Sequence, residues 1–435
     1  LQGRIRSARA CCLKLDRGIG IALNKLRKFD DRLRIMRRLL LFFTALLAFV
    51  SVSAQNHLYV TIDDLQVGAE RFEVYIDELK AADGVAVVAN HTSMVRFDNE
   101  RMHLVDALLA QGVKVKRVFA PEHGFRGKAD AGEKVESGKD AKTGLPVVSL
   151  YGSHKKPTPE DLSGVEIVVF DIQDVGARFY TYISTMTYVM EACAEQGKAV
   201  WVLDRPNPNG FYVDGPMLQP EFSSFVGMLP IPVVHGMTVA ELAQMINGEA
   251  WLKDGLQCEL NVITCDGWNR NDVYILPEKP SPNLPTITSI LLYPSLCFFE
   301  GTGFSVGRGT DQPFEVFGHP NMSVGSFMFV PKPTDGAKHP KHEGVPCLGW
   351  DLSEIGAERV KEKESLILDW LINAYRDFPQ KEKFFLENGF FDKLAGTDAL
   401  RKQIIAGMTA EEIRSGWQQE LSAFKAQRKA YLLYP

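Results

Sequence analysis

The strongest constraint on this chain is an alternation that begins at residue 85. Short apolar runs rich in β-branched residues, at 85–89, 115–120, 147–150, 165–170 and 199–203, are separated by segments of helical periodicity. A run that is apolar at every position leaves no face for solvent, so each reads as a strand buried on both sides, the condition of a parallel sheet between helical layers. Leu104, Val105, Leu108 and Leu109 ahead of Gly112, and Ile183, Met186, Met190 and Cys193 ahead of Gly197, supply apolar helix faces for those layers. Thr238-x-x-Glu241, followed by Leu242, Met245 and Ile246, predicts a capping box opening a helix that stops at Gly248. The expected fold class is α/β, with a Rossmann-like parallel sheet.

The pattern then changes. Gly and Pro become dense from 277 to 340, and long helical patterns return only near 357–375 and after Thr409-x-x-Glu412. The domain expectation is therefore a Rossmann-like domain over 55–260 and a smaller α+β auxiliary domain over 261–435.

The first 54 residues read differently. They hold 12 of the 49 Lys and Arg but 3 of the 54 Asp and Glu, a net +9, whereas the remainder carries 37 basic and 51 acidic side chains, a net −14. Met36-Arg37-Arg38, the apolar run 39–50 and Ser51-Val52-Ser53-Ala54 have the order of a signal peptide over 36–54, with a mature chain expected from Gln55. An apolar run of about 12 residues is shorter than the roughly 20 that span a bilayer, so no stable membrane span is expected after signal removal. Residues 1–35 read as misassigned upstream translation; a basic arm for nucleic acid is the competing reading. A net −14 body argues against a general polyanion binder, so any anionic ligand needs locally placed arginines. Five of the seven cysteines lie beyond the leader, none in a Cys-x-x-Cys pair, and Cys258 with Cys265 is the one bridge considered.

In an open parallel sheet, ligands bind outside the carboxyl ends of the strands, where loops and helix amino termini gather. Here all five ends are polar: Asn90 to Ser93, Pro121 to Gly127, Tyr151 to His154, Asp171 to Arg178 and Asp204 to Gly210. There is no Gly-x-Gly-x-x-Gly at the first turn and no phosphate loop, no His-Glu-x-x-His, and no Gly-x-Ser-x-Gly elbow. His339-x-x-His342 reads as a solvated pair in an exposed loop. The carboxylates remain, and Glu122, at a strand end beside Phe125 and two glycines, is the first candidate for a general acid unless Arg126 pairs with it.

The segments 121–127 (PEHGFRG), 171–182 (DIQDVGARFYTY), 204–208 (DRPNP), 300–302 (EGT) and 307–310 (GRGT) resemble the exo-β-N-acetylmuramidase family of peptidoglycan hydrolases. The resemblance runs through nearly all the mature chain. It implies an exo-acting glycoside hydrolase that releases N-acetylmuramic acid from the non-reducing end of peptidoglycan fragments, on a Rossmann-like domain with a smaller neighbour. Its catalytic carboxyl carries over to Glu122. Glycoside cleavage usually uses a second carboxylate, for which Asp174 stands first and Asp171 and Glu300 behind it, or the substrate's own acetamido oxygen. The expected substrate-binding set is Asn90, His123, Arg126, Asp171, Arg178, Tyr180, Asp204, Arg205, Asn207 and Arg308, the arginines being candidates for the lactyl carboxylate of muramic acid. Neither metal nor cofactor is expected, the partners are peptidoglycan fragments or muropeptides and not nucleic acid, and the location is periplasmic or secreted. A non-catalytic periplasmic muropeptide-binding protein, or a hydrolase of wall amides or esters, would use the same cleft.

Overall fold

The five apolar runs become strands of one sheet. In the computed structural model, which describes residues 59–61, 63–122, 124–126 and 137–435, these are β1 (Val85–Ala89), β2 (Val115–Ala120), β4 (Pro146–Ser149), β5 (Ile167–Asp171) and β6 (Ala199–Leu203). Two strands were not anticipated: β3 (Gly138–Lys139) and β7 (Glu259–Ile263), which sit at opposite edges. The order across the sheet is β7-β6-β5-β1-β2-β4-β3, and every pairing is parallel except β3 with β4. The expected leader at 36–54, the segment 1–35 and His123 lie outside the described residues.

Strand alternation divides the apolar residues between two cores. Ala86 and Val88 of β1 face α3 (Tyr182–Gln196) and α4 (Val239–Gly248), while Val85, Val87 and Ala89 face α1 (Phe72–Ala81) and α2 (Leu104–Ala110). All five are fully buried. Each buried valine stabilises the layers by about 1.5–3 kcal/mol, which is why such runs specify a central strand so strongly. The Thr238–Glu241 capping box forms as the spacing predicts, as does the box at Thr409 and Glu412.

The carboxyl-terminal part adds α5 (Ile287–Leu296), an antiparallel sheet of β8 (Val316–His319), β10 (Cys347–Asp351) and β9 (Phe327–Phe329), and further helices including α6 (Asp369–Asp377), α7 (Phe390–Ala395) and α8 (Gln418–Arg428). Its phenylalanines, among them Phe298, Phe299, Phe304 and Phe317, share one continuous core with the α3 face of the large sheet. The boundary expected at 260/261 falls inside β7, all five residues of which pair with β6. The five described cysteines are buried and unbridged. Cys258 and Cys265 sit at opposite ends of β7, roughly 20 Å apart at about 3.3 Å per residue, so the bridge considered between them does not form. Among the described residues, no helix is long and apolar enough to cross a membrane.

Chain order places the site. From β1 the chain moves outward to β2 and β4, then returns across β1 to β5. The carboxyl ends of β1, β2 and β5 therefore surround a topological switch point, where the strand-end loops part and leave a crevice.

Candidate active site

Glu122 lies two residues beyond β2, in the wall of this crevice. Three strand-end loops meet at its carboxylate. Tyr151, from the loop after β4, donates its hydroxyl to Oε1 at 2.9 Å, and Thr181, from the loop after β5, donates to Oε2 at 2.9 Å. Hydroxyls both donate and accept, so the same two partners serve this carboxyl with its proton or without it. Arg126 does not pair with Glu122: its guanidinium makes a bidentate contact with Asp140 at 2.8–2.9 Å and lies over the Phe125 ring.

The opposite wall comes from the carboxyl-terminal part. Glu122 opens onto a cleft of about 770 Å³ whose lining includes Glu300, Arg308, Lys341, Phe225 and Phe390. A recess of about 70 Å³ adjoins it, lined by Glu122, Tyr180, Thr181, Tyr182, Asn283 and Arg308, among others. The Nε of Arg308 donates to Glu300 Oε1 at 3.2 Å, and the guanidinium lies 5.0 Å from the Phe314 ring centre. Gly307 and Gly309 flank it at φ 78° and 80°; a Cβ on either would come within 2.6 Å of a backbone carbonyl oxygen, so this close approach requires glycine. The 336–341 loop lines the cleft, and His339, read from sequence as a solvated histidine, has its side chain 94% exposed there. His342 instead places Nε2 2.7 Å from Gly303 O. Among the described residues, no group of three His, Cys, Asp or Glu side chains is arranged to hold a metal ion.

Several expected ligand contacts are structural. Arg178 is 0% exposed and donates to the carbonyls of Pro216, Ile231, Leu394 and Ala395 at 2.7–3.1 Å, which leaves it no reach into the cleft. Arg205 and Asp171 form a buried bidentate pair at 2.6 and 2.9 Å. Asp204 caps α4, accepting from Thr238 Oγ1 and Ala240 N, and also takes the Tyr434 hydroxyl. Asn207 braces its own loop against Met237 O and Asn209 N. Asn90 is fully buried, its Oδ1 turned to Thr92. Tyr180 lines the recess with its ring while its hydroxyl donates to Pro280 O at 2.6 Å.

Asp174, expected as the second carboxylate, faces neither cavity. It is 4% exposed and accepts only from the peptide nitrogens that follow it, Gly176 N at 2.6 Å. Burial pushes its carboxyl up to about 7, against a partial pull from those amides. A folded-state value above the unfolded one gives stability that is complete below about pH 4 and is lost as pH rises toward 7, at about 1.4 kcal/mol per pH unit. Chemical denaturation should therefore show a higher midpoint at pH 5 than at pH 7.5, and Asp174→Asn should flatten that difference; an unchanged slope in the variant would show that Asp174 is ionised throughout.

Comparison with known proteins bears on this geometry. The family models described as exo-beta-N-acetylmuramidase NamZ, N-terminal and C-terminal, match residues 85–288 and 291–434. The chain belongs to the exo-β-N-acetylmuramidase family. It is 42% identical over 338 residues to the peptidoglycan beta-N-acetylmuramidase NamZ of Bacillus subtilis strain 168, covering 74% of this chain and 80% of that one. Two crystal structures of DUF1343 family proteins from Bacteroides fragilis NCTC 9343 are similar. One has a TM-score of 0.78 at 45% identity over 85% of this chain and 99% of its own; the other has 0.70 at 27% over 86% and 99%.

As a member of the exo-β-N-acetylmuramidase family, the chain is a glycoside hydrolase, and among the described residues the carboxylates lining its cleft are Glu122 and Glu300. Tyr151, quoted within a strand end, and Thr181, within the motif segment 171–182, were given no role, although both touch Glu122. The signal that finds them is positional: each lies on a loop leaving a strand next to, or one removed from, β2. Lys341 had no such signal, because its loop reaches the cleft only through the fold of the carboxyl-terminal part.

Proposed function

We propose that this exo-β-N-acetylmuramidase acts with Glu122 as general acid, protonating the oxygen that leaves N-acetylmuramic acid at the non-reducing end of a peptidoglycan fragment. The observation that carries this reading is the Glu122 carboxyl at the switch point, facing the cleft and held only partly from solvent by the Tyr151 and Thr181 hydroxyls. Glu300 replaces Asp174 as the second carboxylate. It faces the same cleft and supplies negative charge to the oxocarbenium-like centre, or to the acetamido group that attacks it. We further propose cell-wall turnover as the setting and export as the route, supported by the order of basic, apolar and small residues over 36–54.

The test is a digest of defined glycan fragments followed by mass analysis, using enzyme recovered from the periplasm with an intact mass beginning at Gln55. Free N-acetylmuramic acid, released stepwise from one end, is the expected product. Glu300→Gln should lower kcat by about 10²–10³-fold, the scale of a lost electrostatic partner. Bound but intact fragments would favour a muropeptide-binding protein; liberated peptide would favour an amide hydrolase. A periplasmic chain retaining the leader would reject the cleavage site.

A further inference from the structure

Muramic acid differs from glucosamine by one substituent, a lactyl ether at O3 that ends in a carboxylate. A cleft that uses this difference must hold a cation where that group lies, and the −14 charge of residues 55–435 makes a local seat necessary. Of the four arginines in the family motifs, Arg126, Arg178 and Arg205 are spent on Asp140, on four carbonyls and on Asp171. Arg308 is the one that lines both the recess and the cleft, as Glu122 does.

Its chemistry is unfinished. Only Nε is engaged, by Glu300, and the two terminal nitrogens have no hydrogen-bond partner among the described residues. Lys341, in the same cleft wall, gives one ammonium hydrogen to Thr302 O at 2.7 Å and makes no ion pair among the described residues. Arg308 and Lys341 thus face a cleft that Glu122 and Glu300 also line, and with the Arg308 side chain 24% exposed, a bound anion can reach its free terminal nitrogens. Phe314, held at φ 57° beneath the Arg308 guanidinium, fixes the direction of the fork.

We infer that Arg308 and Lys341 form the seat for the lactyl carboxylate, with the guanidinium terminal nitrogens gripping it as a fork and the ammonium beside them. This rests on the muramidase reading and adds to it the residues that distinguish muramic acid from glucosamine. A guanidinium fork matches a planar carboxylate in two parallel hydrogen bonds, whereas an uncharged group at O3 would leave both cations unpaired. Selectivity of this kind arises more from that penalty than from added attraction.

The experiment compares an aryl β-N-acetylmuraminide with its lactyl methyl ester, on wild type, Arg308→Gln, Arg308→Lys and Lys341→Gln, each checked for folding by thermal melting. In wild type the acid should exceed the ester in kcat/KM by about 100-fold, mostly through KM. Arg308→Gln should collapse that ratio to below about fivefold, Arg308→Lys should restore part of it, and Lys341→Gln should lower it about tenfold. Acid and ester cleaved equally by wild type would overturn the seat alone. So would an Arg308→Gln loss that is equal on both substrates, since that pattern means Arg308 acts only through Glu300 or the fold. A wild type that cleaves neither substrate overturns the muramidase reading, and the seat with it.

Discussion

Glu122→Gln lowers kcat on a muraminide with a sugar leaving group by about 10²–10⁴-fold and changes KM little, if this carboxyl supplies the proton. Glutamine keeps the shape. Its amide oxygen accepts one of the Tyr151 and Thr181 hydroxyls, and its nitrogen donates to the other, so the packing at 2.9 Å on each side survives the change. What is lost is the transferable proton. That loss matters less when the leaving group is already a stable anion, so an activated aryl muraminide should show a markedly smaller deficit. Initial rates on both substrates measure it. Equal deficits would mean that Glu122 positions the sugar, and no deficit would remove it from the reaction.

Arg205→Met should destabilise the fold by about 3–5 kcal/mol, because it leaves the Asp171 carboxylate buried at the end of β5 without its partner. The pair is part of what holds the β5 and β6 loops at a fixed separation. Replacing both residues, as Asp171→Asn with Arg205→Met, should recover part of the loss, since a neutral amide costs less to bury than an unpaired anion. Urea denaturation of the two single variants and the double variant provides the measurement. Additive losses would show that the two residues stabilise the sheet independently of each other.

The central strands were legible because every residue of β1 and β5 is buried, and burial on both faces writes itself as an unbroken apolar run. β7 escaped notice because it is an edge strand: its residues run from exposed Glu259 to buried Ile263, and Asn261 interrupts the apolar signal. The helix expected over 357–375 breaks into a short turn at Ala357–Lys361 and α6, since Leu366 and Leu368 between them are buried in an irregular stretch. Within the site, the place of Glu122 in the cleft wall could be read from its strand end. Which of Asp174 and Glu300 faces the cleft could not be told in one dimension: Asp174 folds beneath the loop it belongs to, whereas Glu300 arrives at the cleft from a distant segment after α5. The arginines make the same point. Arg126, Arg178 and Arg205, which stand in the motif segments, are spent here on Asp140, on backbone carbonyls and on Asp171.

Arg178 holds more than a loop. Its guanidinium binds Pro216 and Ile231 on one side and Leu394 and Ala395 on the other, while the next residues, Phe179 to Thr181, form part of the cleft wall. Gly396 leaves room for it; a Cβ there would stand 2.5 Å from Nη2. Any hinge that spread the two walls would tear a charged group from four carbonyls in a dry interior, a cost that ordinary thermal motion does not meet. It follows that the two sides of the mouth share one buried anchor: Leu394, which lines the cleft, is tied through the Arg178 guanidinium to the strand of Pro216 and to the segment carrying Phe179 and Thr181.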